Sequence, residues 1–233
     1  MIRLAGVTVA VPVLRADGSE HTKTLLRDID LTLTEPRIAL IGANGSGKST
    51  LLRLLNGLLT PSAGQVLVDG LDTHTKARQV RQRVGFVFTD PLSQLVMSTP
   101  LEDVELSLRR TFKDRRERRA RAQHLLDERG LGHLAHQSIY DLSGGERQLV
   151  ALTAVLAIEP QVVVADEPTT LLDLRNRERM RRAFAALPQQ VIYSTHDLDV
   201  AADAQRVLVI DDGRVVFDGA PAAAIDHYRG RMT

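Results

Sequence analysis

Between residues 2 and 14 apolar and polar positions alternate, and after a break at residues 16–19 the alternation resumes around Leu31-Thr32-Leu33. A two-residue period marks strands with one covered face, so the N-terminus is expected to form an antiparallel β region. The pattern then changes. Ile38 to Ile41, Val84 to Phe88, Val162 to Ala165, Val191 to Tyr193 and Val207 to Ile210 are short unbroken apolar runs. Strands covered on both faces of a parallel sheet read this way, and the helical segments between most of them make the class α/β. A polar stretch from about Leu101 to Asp141, rich in Arg, Glu and Leu, predicts helices inserted into that core.

Composition narrows the picture. With 233 residues the chain can form one large domain, or a core with a small subdomain. Thirty basic residues against 29 acidic ones leave a net charge of +1, so bulk electrostatics give no case for a nucleic-acid partner. The absence of cysteine excludes disulfides, thiolate metal sites and thiol nucleophiles. The N-terminal MIRLAGVTVAVPVL reads as a strand rather than a signal peptide. No apolar run approaches the ~20 residues that span a bilayer, so a membrane role would need another chain.

The chemistry begins at Gly42. Residues 42–49 are Gly42, Ala43, Asn44, Gly45, Ser46, Gly47, Lys48 and Ser49, the pattern G-x-x-x-x-G-K-[ST], placed after a buried strand and before the helical run from Thr50. Glycines let backbone N–H groups turn inward around a phosphate, and the helix N-terminus adds a favourable dipole. Lys48 is expected to reach the β- and γ-phosphates of ATP and the Ser49 hydroxyl to coordinate Mg²⁺. The strand Val162 to Ala165 ends in Asp166-Glu167. A carboxylate pair at the C-terminal edge of a parallel sheet suits Asp166 to hold the metal and Glu167 to act as general base.

A phosphate loop alone is shared by many enzymes. The segment that discriminates is Leu142-Ser143-Gly144-Gly145-Glu146-Arg147-Gln148, and with it the chain resembles the ABC ATPase family. Three further positions match that family: Gln94 its Q-loop, Asp173 its D-loop and His196 its switch histidine. The resemblance covers essentially the whole chain. It implies a single P-loop NTPase domain of the ABC-ATPase fold, with residues 1–90 and 160–233 as the α/β core and about 91–159 as a helical subdomain. It also implies that Ser143, Gly144 and Gly145 bind the γ-phosphate of ATP held by a second ATPase subunit, identical or not, in a head-to-tail dimer. His196 would contact the γ-phosphate, and Gln94 the metal or the attacking water. Family members carry an aromatic residue that stacks on adenine; Val11 stands at the best-matching position. Leu171-Leu172 and Pro36-Arg37 are further departures.

Within the family, the segment from Phe86 to Val104 is similar to the Q-loop region of energy-coupling-factor vitamin and metal importers, particularly the biotin-system ATPase. That likeness implies a peripheral protein at the cytoplasmic face of the membrane, bound to an integral membrane subunit. A soluble ATPase of an iron-sulfur assembly system is the alternative. Between Arg109 and Arg121 eight basic residues face two acidic ones. A solvated helix face, contact with anionic lipid or a membrane subunit, and nucleic acid are the three readings, the last disfavoured because only Phe112 is interleaved.

Overall fold

The computed structural model describes residues 1–14, 18–170 and 172–232. The predicted break at residues 16–19 falls partly outside them, and Leu171 wholly. The strands are β1 (Ile2–Leu14), β2 (Glu20–Leu33), β3 (Arg37–Ile41), β4 (Ala63–Val68), β5 (Leu71–Asp72), β6 (Val84–Val87), β7 (Val162–Ala165), β8 (Gln190–Ser194), β9 (Arg206–Asp211) and β10 (Arg214–Gly219). The helices are α1 (Lys48–Leu55), α2 (Ala77–Arg83), α3 (Pro100–Leu108), α4 (Arg115–Glu128), α5 (Gly144–Leu156), α6 (Leu174–Ala185), α7 (Leu198–Ala202) and α8 (Pro221–Met232).

Two sheets carry the fold. One is antiparallel, in the order β2-β1-β4-β5. The other runs β10-β9-β3-β8-β7-β6, with β9, β3, β8, β7 and β6 parallel and β10 added antiparallel at one edge. The class is therefore α/β, with an antiparallel N-terminal sheet beside a mainly parallel core. Each of the five apolar runs became a strand of the parallel set. β2 corrects the sequence reading, because it starts at Glu20 and not near Leu31. Its outer half pairs with β1 through exposed Glu20, Thr22 and Lys23, so no apolar alternation announces it.

Two cores result. Ile38, Leu40, Val162, Val164 and Ile192 face α1 and the antiparallel sheet, and Ala39, Ile41, Val163, Ala165 and Val191 face α5 and α6. Successive residues of a strand point to opposite faces, and both faces here are covered, which is why these runs lack alternation. α3, α4 and α5 join the second core through Val104, Leu126 and Val150, all fully buried. Arg37 links β3 to the end of α6: its guanidinium donates to the carbonyls of Gln189 (2.8 Å), Ala185 (3.3 Å) and Leu187. Among the described residues no helix is long and apolar enough to cross a membrane.

Candidate functional site

The chain leaves β3 through Gly42, whose φ of 152° and lack of a Cβ let it lie against the end of β9; a Cβ there would stand 2.1 Å from the Ile210 carbonyl oxygen. Gly45 and Gly47 also adopt positive φ, 80° and 116°, a region open to glycine without strain. Along the loop Ala43, Asn44 and Gly45 are exposed, while Ser46 and Lys48 are buried. α1 starts at Lys48, so the N–H groups of its first turn, left over by intrahelical bonding, point into the loop. The Lys48 ammonium donates to the carbonyls of Gly42 (2.8 Å) and Ala43 (3.1 Å). Burial pushes it below its ordinary value, against the opposing pull of Glu167 and Asp166. The Ser46 hydroxyl is buried without a partner and lies against Gly42, 2.8 Å from the place a Cβ there would take, so the loop carries an unsatisfied polar atom.

Asp166, at the end of β7, is almost fully buried, and its Oδ1 accepts from the hydroxyls of Ser49 (2.9 Å) and Ser194 (2.7 Å). β7 and β8 are neighbours in parallel register, so Ser194 arrives at the height of Asp166. Ser194 Oγ also accepts from the Glu167 N–H at 2.9 Å and so fixes both carboxylate residues. Glu167 has φ 48°, a left-handed backbone that turns its side chain away from that of Asp166. Its Oε2 accepts from Thr170 Oγ1 (3.0 Å) and the His196 N–H (3.3 Å), and lies 2.8 Å from His196 Nδ1. Ser49 and Asp166 offer two adjacent hard oxygen donors, a set suited to a small divalent cation that takes its remaining ligands from phosphate and water.

Gln94 lies elsewhere in this geometry. Its Oε1 accepts from the Phe88 N–H (3.2 Å) and its Nε2 donates to the Ala151 carbonyl (3.2 Å), so it ties the end of β6 to α5. Gln148 repeats the tie by donating to the Phe88 carbonyl at 3.1 Å. Val11 is half-buried opposite Lys23, two residues beyond Val9, whose partner Leu26 bounds Gly47.

Ser143 caps α5 in a reciprocal box. Its hydroxyl meets the Glu146 N–H (3.3 Å) and donates to Glu146 Oε2 (2.7 Å), which also takes the Ser143 N–H (2.8 Å). These bonds hold the Glu146 carboxyl below its ordinary range. Ser143 and Gly144 are exposed. Asp173 is exposed as well and caps α6, accepting from the Asn176 N–H (2.8 Å) and the Asn176 side chain (3.0 Å). Asn176 packs on Gly145, where a Cβ would meet its Cγ at 2.2 Å. The two helix N-termini are thus joined on one surface, beside exposed Tyr140 and Leu174.

Phosphate loop, Asp166, Glu167 and His196 come together at the ends of the adjacent strands β3, β8 and β7. Ser143 to Gly145 and Asp173 form the separate surface around Asn176. Sequence reasoning assigned no role to Ser194, Thr170, Thr89 or Asn176. Thr89 donates to the Asp166 carbonyl at 2.8 Å. Small polar side chains two to five positions from a motif residue were the available signal, with Ser194 two residues before His196 and Asn176 three after Asp173.

A profile of the ABC transporter family matches residues 26–170. A Deinococcus radiodurans protein with the provisional name ABC transporter ATP-binding protein is 49% identical over 211 residues, covering 91% of this chain and 93% of its own. The biotin transport ATP-binding protein BioM of Rhizobium etli is 41% identical over 214 residues, covering 92% and 95%. Among solved structures, a dimer of the ATP-binding cassette MJ0796 in a post-hydrolysis state bound to ADP and Pi superposes with a TM-score of 0.83 at 30% identity, covering 95% of this chain and 99% of that one.

Proposed function

The chain belongs to the ABC transporter ATP-binding family and is an ABC ATPase, and from that premise we propose that it is the motor subunit of a membrane importer of the energy-coupling-factor kind, peripheral at the cytoplasmic face. The observation that carries the catalytic part is the convergence of Lys48, Ser49, Asp166 and Glu167 on one sheet edge. The likeness to BioM, named for biotin transport, and to a cobalt import ATP-binding protein supports the importer part, with a vitamin such as biotin or a metal ion as the solute. The solute is recognised by other chains.

On this reading the loop N–H groups and Lys48 bind the phosphates of ATP. Ser49 and Asp166 would hold Mg²⁺, which would supply positive charge against that of the phosphates. Glu167 takes the proton of the attacking water, and His196 orients that water and the γ-phosphate. To serve the site Gln94 would have to give up Phe88 and Ala151, which would couple closing of the site to a shift of α5 against β6. Val11 gives adenine an apolar contact in place of a stacking ring.

Exposed Ser143, Gly144, Asp173, Tyr140 and Leu174 support a second ATPase subunit docked head to tail, which would lend its phosphate loop to this signature. The helical region from about 91 to 159 would rotate on closure. Of the three apolar residues after Gln94, Leu95 is buried in the core, Met97 is half-buried and Val96 is 69% exposed. Val96 lines a groove of about 240 Å³ with Leu106, Ile158 and Arg81. We take this groove as the seat of a short helix from the membrane subunit.

Purifying the tagged chain from its native membranes tests the proposal. An integral membrane companion together with ATPase activity is expected; a soluble scaffold as sole companion overturns the importer reading.

A further inference from the structure

The phosphate loop rests on the turn that joins β9 to β10. Gly42 abuts the Ile210 carbonyl, the Gly213 N–H donates to the Ser46 carbonyl at 2.8 Å, and the Gly213 Cα lies 3.5 Å from the place a Cβ on Gly47 would take. Both ends of the loop are therefore set against one short segment.

That segment is itself held. Gly213 has φ 73°, and a Cβ on it would meet the Leu25 carbonyl oxygen at 2.6 Å, so the turn packs directly on β2. The Gly213 carbonyl accepts from the Arg27 N–H at 2.8 Å. Its two carboxylates are paired from opposite sides: Asp212 with Arg27 of β2 at 3.6 Å, and Asp211 with Arg231 of α8 at 2.5 Å. A cavity of about 100 Å³, lined by Ala43, Asp211, Tyr228 and Arg231, separates α8 from the loop. The link from α8 to the loop at this place runs through the turn.

We infer that the turn Asp211–Gly213 is a positioning element for nucleotide binding, and that Arg231 tunes phosphate affinity through it from outside the site. Two physical effects act together. The bond to the Ser46 carbonyl fixes the peptide plane between Ser46 and Gly47, whose N–H belongs to the phosphate cradle. Arg231 also neutralises a carboxylate that shares a cavity wall with Ala43, and an unpaired anion there would repel a phosphate. The inference rests on the ATP-binding reading and adds a residue that touches no reacting group.

The test uses the full chain and ADP as probe, with affinity measured by titration calorimetry. Arg231 is about half exposed, so Arg231→Ala is expected to fold, and thermal unfolding checks this. The variant should raise the ADP Kd about two- to fivefold, the range of an exposed ion pair. KM for ATP should rise in step while kcat stays constant, because the loop grips ground state and transition state alike. Arg231→Lys should restore affinity, and high salt should bring wild type and variant together. Gly213→Ala, forced into a strained backbone, should weaken ADP by roughly tenfold or more. Wild-type ADP affinity in folded Arg231→Ala at low salt, or a lower melting temperature with unchanged Kd, overturns the inference. If the wild-type chain itself fails to bind ADP, the ATP-binding reading falls and takes the inference with it.

Discussion

His196 Nδ1 lies 2.8 Å from Glu167 Oε2, which also accepts from the His196 N–H, so the histidine and the proposed base are joined at the ends of two adjacent strands. A base held this way has its orientation set before the reaction. Glu167→Gln keeps the shape and removes the proton acceptor. Hydrolysis should slow by ~10² to 10⁴, or ~3 to 5.5 kcal/mol of barrier, with ATP binding retained. Size-exclusion chromatography should show the variant accumulating as an ATP-bound dimer. Hydrolysis at the wild-type rate would place the base elsewhere.

The surface of Ser143 and Asp173 makes a prediction about shared sites. Mixing Lys48→Ala with Ser143→Arg subunits should give dimers with one intact site and one carrying both lesions, and activity should partly return. No recovery in dimers shown to form by native mass spectrometry counts against the head-to-tail arrangement.

Glu146 links the signature helix to pH. Its carboxyl is held below the ordinary range by the two Ser143 hydrogen bonds. A lowered folded-state value means the stabilisation is fully present above the unfolded-state value, near 4.5, and is lost as pH falls through the folded one. Wild type should therefore lose more than Glu146→Gln between pH 7 and the acid end, by no more than about 0.5 kcal/mol, because solvent screens this partly exposed carboxylate. Urea unfolding of both proteins across that range is the measurement. Parallel stability curves would show that the box contributes nothing.

Val96 separates coupling from folding. At 69% exposure it contributes little to the core, so Val96→Ser should leave melting temperature and basal ATPase nearly unchanged. Copurification with a membrane subunit and uptake in cells should both fall sharply. Unchanged uptake would remove Val96 from the docking groove.

Much of the fold was legible because buried parallel strands leave continuous apolar runs, and all five such runs became strands. β4, β5 and β10 were missed. β4 opens with exposed Ala63, Gly64 and Gln65, β5 is two residues long, and β10 is an edge strand with no fully buried residue. Such segments are defined by their partners rather than by their own pattern. That the Gly42–Ser49 loop and the Asp166-Glu167 pair lie together was expected from spacing and context, and the structure sets Ser49 against Asp166. Ser194 was not, because its importance comes from the register that sets β8 beside β7, a relation between residues 27 and 28 positions apart. Pro36-Arg37, a departure in the sequence, acquires a purpose in the structure, where Arg37 gathers the carbonyls at the end of α6.

The bonds from the Lys48 ammonium to Gly42 and Ala43 bear on binding as well as on shape. The lysine already holds the loop curled around a positive charge, with the side chain ordered and largely out of solvent. An arriving phosphate would exchange acceptors with two carbonyls and would not have to recruit a loose side chain, so little conformational entropy is left to lose. Release reverses the exchange and leaves the curl in place. Nucleotide would then meet a loop already in shape, and binding would cost little rearrangement there.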